Sequence, residues 1–231
     1  ARMLDRLSAG LAEIAWHTGR AVRVAFLPDP GAVLQSTQEV AASLSGVDTD
    51  RLGVCLDFGH LACAWEDPGQ ALARLGEAGL PVVRVQLATA LQAPDAGLAA
   101  GALRRYVEDR FLHPVSPAEG SGVDDLDEAL REGAPGPWRV RYPLPLHTSP
   151  EAPLTSTTGV LRDGLRRLLG GSDALCDHLD VETYTWNVLP GARRPGSATE
   201  LADGIAAELA YARDELTGLG LAPVSRATCG R

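Results

Sequence analysis

Apolar residues along this chain switch between a helical and an extended period, and the switching sets the order of its elements. Leu4, Leu7, Leu11 and Ile14 recur at helical spacing between Arg2 and Gly19, whose glycine is a C-terminal stop, and Ala21 to Leu27 then reads as a buried strand. Ser36 followed three residues later by Glu39 is a capping box for a helix to about Ser45, and Leu52 to Phe58 is the second strand. Asp67-Pro68 joins an N-cap to a proline at the first helical position, and Gly79-Leu80-Pro81 ends that helix before a third strand, Val82 to Ala88. Residues 89–137 are a long loop and helical excursion, with helical pieces at Gly97 to Asp109 and Val123 to Glu132 on either side of a Pro/Gly/Ser segment from Pro114 to Gly122. An excursion of that length after a strand marks a functional loop or an insertion at the active face. Trp138 to Leu146 is the fourth strand, bulged or shortened by Pro143 and Pro145. A helix near Gly159 to Leu169, a fifth strand from Leu179 to Tyr184 and a closing helix capped by Ser197 with Glu200 complete the pattern.

Five strands alternating with helices imply a mainly parallel sheet in a single domain, 1–231. A closed barrel of this kind needs eight. Two architectures fit: the later portion of a barrel whose first strands lie upstream, or an open doubly wound sheet. No G-x-G-x-x-G follows a strand, so a dinucleotide version of the open sheet has no support.

Composition narrows the function. A content of 45% hydrophobic and 22% charged residues fits a folded domain with a sizeable core. The net charge of −9 and the lack of any Lys/Arg-rich stretch argue against nucleic acid as a partner. All 21 basic residues are arginine, which excludes Schiff-base chemistry on a lysine and a P-loop lysine within the chain. Cys55, Cys63, Cys176 and Cys229 have no C-x-x-C spacing and read as reduced thiols. With no membrane-length apolar run and an amphipathic helix at the start, the expectation is a cytoplasmic chain without membrane insertion.

The candidate chemistry lies at strand ends, where parallel strands bring distant acids to one crevice. Asp57 and His60, three apart beyond the second strand, can reach a common point, and Glu182 ends the fifth strand on the same side as Asp180. Three such side chains form an oxygen-rich site suited to Mg²⁺ or Mn²⁺, or with more histidine Zn²⁺. The alternative is structural: Asp57 caps the next helix or pairs with an arginine while His60 packs. Gln86 near the third strand end is a substrate-orienting or a structural group, His147 beyond the fourth is a ligand, a base or a solvated loop histidine, and Tyr184 and Trp186 are pocket walls or core. Asp57-Phe58-Gly59 shares the kinase metal triplet, but without a glycine-rich loop and lysine a kinase is excluded.

The strand Cys55-Leu56-Asp57-x-x-His60, the strand Val83-Arg84-Val85-Gln86-Leu87, the Pro145-Leu146 strand end and above all His178-Leu179-Asp180-Val181-Glu182-Thr183-Tyr184-Thr185-Trp186 resemble the metabolite traffic proteins called EboE, a branch of the xylose isomerase-like TIM barrels. The likeness covers nearly the whole chain and matches the latter part of those proteins. It implies an α/β, xylose isomerase-like TIM barrel, here incomplete, with about five β/α units and the N-terminal strands missing. It also implies a divalent metal, Mn²⁺, Mg²⁺ or Zn²⁺, with Asp57 and Glu182 at ligand positions and His60 at a ligand or substrate-contacting one. Glu182 and His60 are then the catalytic candidates, and Gln86, His147 and Trp186 the substrate-binding ones. The expected function is handling of a small metabolite beside other proteins of a prenyltransferase-encoding gene cluster, with isomerase or epimerase chemistry if the site is catalytic. A non-catalytic binding or partner protein with a degenerate metal site is the alternative. Endonuclease IV-like phosphodiester hydrolysis is disfavoured by the acidic charge.

Departures from the family pattern weigh on the metal. Leu27-Pro28-Asp29-Pro30 stands where Glu-Pro-Glu-Pro is usual, Gln86 replaces a metal-binding histidine, and Arg141-Tyr142-Pro143 replaces His-aromatic-His. Weak or absent metal binding follows, with Asp29 as a substitute for the missing carboxylate.

Overall fold

In the computed structural model, which describes residues 2–133 and 135–222, one strand organises the rest. β2 (Leu52–Asp57) is buried at every position, as a strand covered on both faces must be. β1 (Val24–Phe26) and β3 (Val82–Leu87) flank it, and β8 (Leu179–Val181) joins β3, giving a four-stranded sheet in the order β1-β2-β3-β8 with every pair parallel. All four carboxyl ends therefore face one way.

Local signals start the helices that cover this sheet. α1 (Arg2–Thr18) leads into β1, and α2 (Thr37–Ser43) carries the Ser36/Glu39 capping box. α3 (Phe58–Cys63) begins directly at Asp57, and α4 (Pro68–Glu77) has Asp67 as N-cap and proline in its first turn. α7 (Thr158–Leu169) and α8 (Ala198–Gly218) follow later; the Ser197 side chain accepts from the Glu200 N–H. Val54, Leu56, Val85 and Leu87 pack with Ala71, Leu75, Leu161, Leu165 and Leu168 into one core.

Between β3 and β8 the chain departs from the expected pattern. The excursion is not only loop and helix. It contains β4 (Ala90–Ala93), α5 (Ala96–Leu103), β5 (Val115–Pro117) and α6 (Leu126–Glu132). The expected fourth parallel strand is β6 (Trp138–Pro143), which runs antiparallel to β4 and β5; with β7 (Thr155–Ser156) these form a second sheet in the order β5-β6-β4-β7. Direction is set by the partner, and β6 finds its partner in the excursion rather than in β3. A second core fills behind it, with Leu91, Leu103, Leu126, Trp138, Val140, Tyr142 and Trp186.

Among the described residues the parallel sheet is not closed into a ring: β1 and β8 are its two edges. No helix among them is long and apolar enough to cross a membrane. Cys55, Cys63 and Cys176 are buried free thiols, and burial pushes Cys55 and Cys63 up to about 12. Cys229 lies outside the described residues.

Candidate functional site

The carboxyl ends of the four parallel strands and the second sheet border a cavity of about 190 Å³. The ladder sets Asp57 level with Gln86, and Gln86 level with Asp180. Glu182 lies two residues further along the same face. Asp57, His60, Gln86 and Glu182 all line the cavity, together with Asp29 from the loop after β1, Arg141 and Tyr142 from β6, and Tyr184 beyond β8.

The carboxylates of the cavity each have a partner within the protein. Asp57 is the N-cap of α3, its Oδ1 accepting the His60 N–H at 2.8 Å. The structural role and the cavity-lining position thus coincide in one residue. Burial raises the Asp57 carboxyl above its ordinary range, against the opposing pull of His60 and the backbone N–H groups of His60 and Gly59. Gly59 allows the close fit here: a Cβ on it would stand 3.1 Å from Asp57 Oδ1 and 3.3 Å from the Ala88 Cβ. Gln86 Nε2 donates to Glu182 Oε2 at 3.3 Å. Asp29 accepts from Arg141 Nη1 and lies 3.7 Å from His60 Nδ1. Burial likewise raises the Tyr184 phenol, partly offset by the nearby Arg141 guanidinium.

Arg141 is fixed from behind. Its N–H donates to the Pro114 carbonyl at 2.8 Å, and its own carbonyl lies 3.1 Å from Nδ1 of the fully buried His113, whose Nε2 is 2.8 Å from Glu108 Oε1. Two nitrogens of the site, His60 Nδ1 and Arg141 Nε, are buried without a hydrogen-bond partner among the described residues. A buried group left unsatisfied costs about 1–3 kcal/mol.

These contacts do not fit a divalent ion. Among the described residues no group of three or more His, Cys, Asp or Glu side chains is arranged to hold one. Asp57 is turned onto a backbone N–H, Asp29 onto a guanidinium, and the orphaned Arg141 Nε–H can only donate. Asp57, His60 and Glu182 share a cavity without forming a ligand cluster.

Two of the sequence candidates lie elsewhere. Trp186 is buried in the second core, with its ring against Gly204 of α8, and His147 is exposed and stacks on Trp186 with ring centroids 6.3 Å apart. Neither lines the cavity. Missed by the sequence were Tyr142 as a wall and Arg141 as a site residue; the only signal for Arg141 was its place in the departure from His-aromatic-His. Missed too was Glu208, a buried carboxylate of α8 that accepts from the Leu146 N–H at 3.0 Å and from the Thr183 hydroxyl, fixing the segment beside Glu182. Burial raises its pKa, against these two bonds.

A four-stranded parallel sheet with helices on its outer side and acids at the carboxyl ends is the arrangement of an α/β barrel segment. Residues 1–168 match the xylose isomerase-like TIM barrel family, and the chain belongs to it. Asp57, His60, Gln86 and Arg141 lie within the matched stretch, and Glu182 lies beyond it. No curated protein and no solved structure matches the chain.

Proposed function

We propose that this chain handles a small polar metabolite in the manner of EboE-type proteins, taking it into the cavity at the carboxyl ends of β1, β2, β3 and β8. The observation that carries this is the convergence there of Asp57, His60, Gln86 and Glu182, from three separate segments, under the aromatic walls of Tyr142 and Tyr184. The chemistry such a set supports is proton transfer of the isomerase or epimerase kind. Asp57, whose burial favours the protonated form, is in this proposal the proton-holding member, and Glu182 acts as the base, a role supported by its partial burial and its contact with Gln86. His60, with Nδ1 free of hydrogen bonds, is a second group able to carry the proton. Other proteins of the same gene cluster are the proposed partners for supply and removal of the metabolite.

A specific observation favours a second reading, a binding protein without turnover: Asp57 and Asp29 are both engaged within the protein. One experiment separates them. The chain is screened by NMR against small hydroxy-carbonyl metabolites in D₂O, following both binding and exchange of carbon-bound hydrogen. Exchange that Glu182→Gln abolishes while binding persists is the expected result for the enzyme. Binding without exchange identifies a carrier, and no binding by any hydroxy-carbonyl compound sinks the proposal.

A further inference from the structure

We propose that the guanidinium of Arg141 is the resident cation of this cavity, occupying the electrostatic place a divalent ion would need, so that the site works without metal. This rests on reading the cavity as the ligand site. Its starting point is Asp29. That carboxylate is offered by the loop Leu27-Pro28-Asp29-Pro30, whose Leu27 also lines the cavity, and it is taken by Arg141 Nη1. A metal entering beside it would displace a charge-assisted hydrogen bond and face a like charge at close range.

The arginine is also held in place for this role. Hydrogen bonds on both sides of its peptide, to Pro114 and from the fully buried His113 that Glu108 supports, fix the β6 backbone at Arg141. Its side chain is only 26% exposed, and Pro30 offers a carbonyl 3.4 Å from Nη1. An arginine serving only solubility needs none of this. The orphaned donor Arg141 Nε, with the unpartnered His60 Nδ1 nearby, leaves hydrogen-bonding capacity for an oxygen atom of a ligand. A planar guanidinium can hold a carbonyl or hydroxyl oxygen and stabilise negative charge developing on it, the part a Lewis acid would otherwise play.

Mn²⁺ alone is the probe, titrated into the full chain and followed by the EPR signal of the free ion. Wild type and Arg141→Lys are expected to leave the signal unbound into the millimolar range. Leu27→Glu/Arg141→Ala, which adds a carboxylate to the cavity wall and removes the cation, is expected to take up one ion per chain with a gain in affinity of at least about 100-fold. Circular dichroism checks that each variant is folded, and Leu27→Glu/Arg141→Gln, closer in size to the wild type, serves if the alanine variant is not. Tight stoichiometric Mn²⁺ binding by the wild type overturns the proposal, and so does a folded double variant that gains nothing. Metabolite binding is not read in this experiment, so failure of the proposed function and failure of this inference remain distinguishable.

Discussion

Gly164, in the middle of α7, lies directly against the ring of Phe58, and this contact gives a sharp test of how the site is supported. A Cβ on Gly164 would fall 2.2 Å from one Phe58 ring carbon and 2.5 Å from another, far inside the roughly 3.5–4.0 Å of a normal carbon contact. Glycine to alanine inside a helix ordinarily gains roughly 1 kcal/mol. Here Phe58 is 1% exposed and surrounded by the core, so the ring has no free direction to move. Overpacking of this kind costs about 1–3 kcal/mol and occasionally more. The closeness of the contact places Gly164→Ala at the upper end, for a net loss of about 2 kcal/mol and a Tm lower by roughly 4–8 °C in a chain of this size. Gly76 in α4 is the control of opposite sign, because an added Cβ there meets nothing within 4 Å; Gly76→Ala should gain roughly 0.5–1 kcal/mol. Phe58→Leu removes the ring atoms responsible, so Phe58→Leu/Gly164→Ala should be more stable than the two single losses added together. Urea unfolding at equilibrium measures all four variants. A Gly164→Ala protein as stable as wild type, with Gly76→Ala behaving as expected, refutes the argument that Phe58, and Asp57 next to it, are clamped by α7.

Asp57→Asn keeps an acceptor for the His60 N–H but cannot ionise. Because burial raises the folded-state pKa of Asp57 above the ordinary 3.8, wild-type stability falls as pH rises through that pKa. The variant should flatten this slope and equal or exceed wild type at pH 8; urea midpoints across pH 4–8 showing a loss there of more than about 1 kcal/mol would contradict it. Glu208→Ala strands the Leu146 N–H and the Thr183 hydroxyl and should cost roughly 2–4 kcal/mol, with Glu208→Gln milder. Hydrogen exchange should speed up around Leu146 and Thr183 in the alanine variant, and unchanged protection there would rule out the anchoring role. Arg84→Ala breaks a bidentate pair with Asp180 at 2.6 and 2.7 Å across β3 and β8, but the arginine side chain is 44% exposed. The loss should stay below about 1 kcal/mol and shrink in high salt, as denaturation with and without added salt will show.

What the sequence disclosed was whatever is decided within a few residues. The caps at Ser36, Asp67 and Ser197 act on N–H groups three residues away, and all three start helices as expected. The apolar runs of β2 and β3 likewise declare themselves, and strand alternation is enough to bring Asp57, Gln86 and Glu182 to one cavity. The second sheet was hidden because β4, β5 and β7 have two to four residues each, and such strands exist through their partners rather than their propensity. Trp138 to Pro143 was legible as a strand but not in its direction. Arg141 could not be placed without that direction, since its side chain meets Asp29 only when the second sheet folds over the strand ends. Glu208 looked like a solvated acid on a long helix; only the Leu146 N–H and the Thr183 hydroxyl, both distant in sequence, reveal otherwise.

The second sheet lies wholly between β3 and β8 in the chain, and its topology governs the order in which the molecule can be made. β8 cannot find β3 until everything from β4 to α7 has been synthesised, so the last parallel pairing is a non-local and late event. The pairings of the inserted sheet, from Pro117 with Trp138 to Leu91 with Ser156, all span less sequence than that of Val85 with Leu179, and once formed they shorten the loop that must be closed. Glu182 arrives only with β8. A nascent chain can thus complete most of its hydrophobic burial while the edge of β3 is still unpaired and the cavity still lacks its final acid. The cavity is completed only when β8 docks, and an arrested intermediate would have a folded insertion but an unfinished cavity.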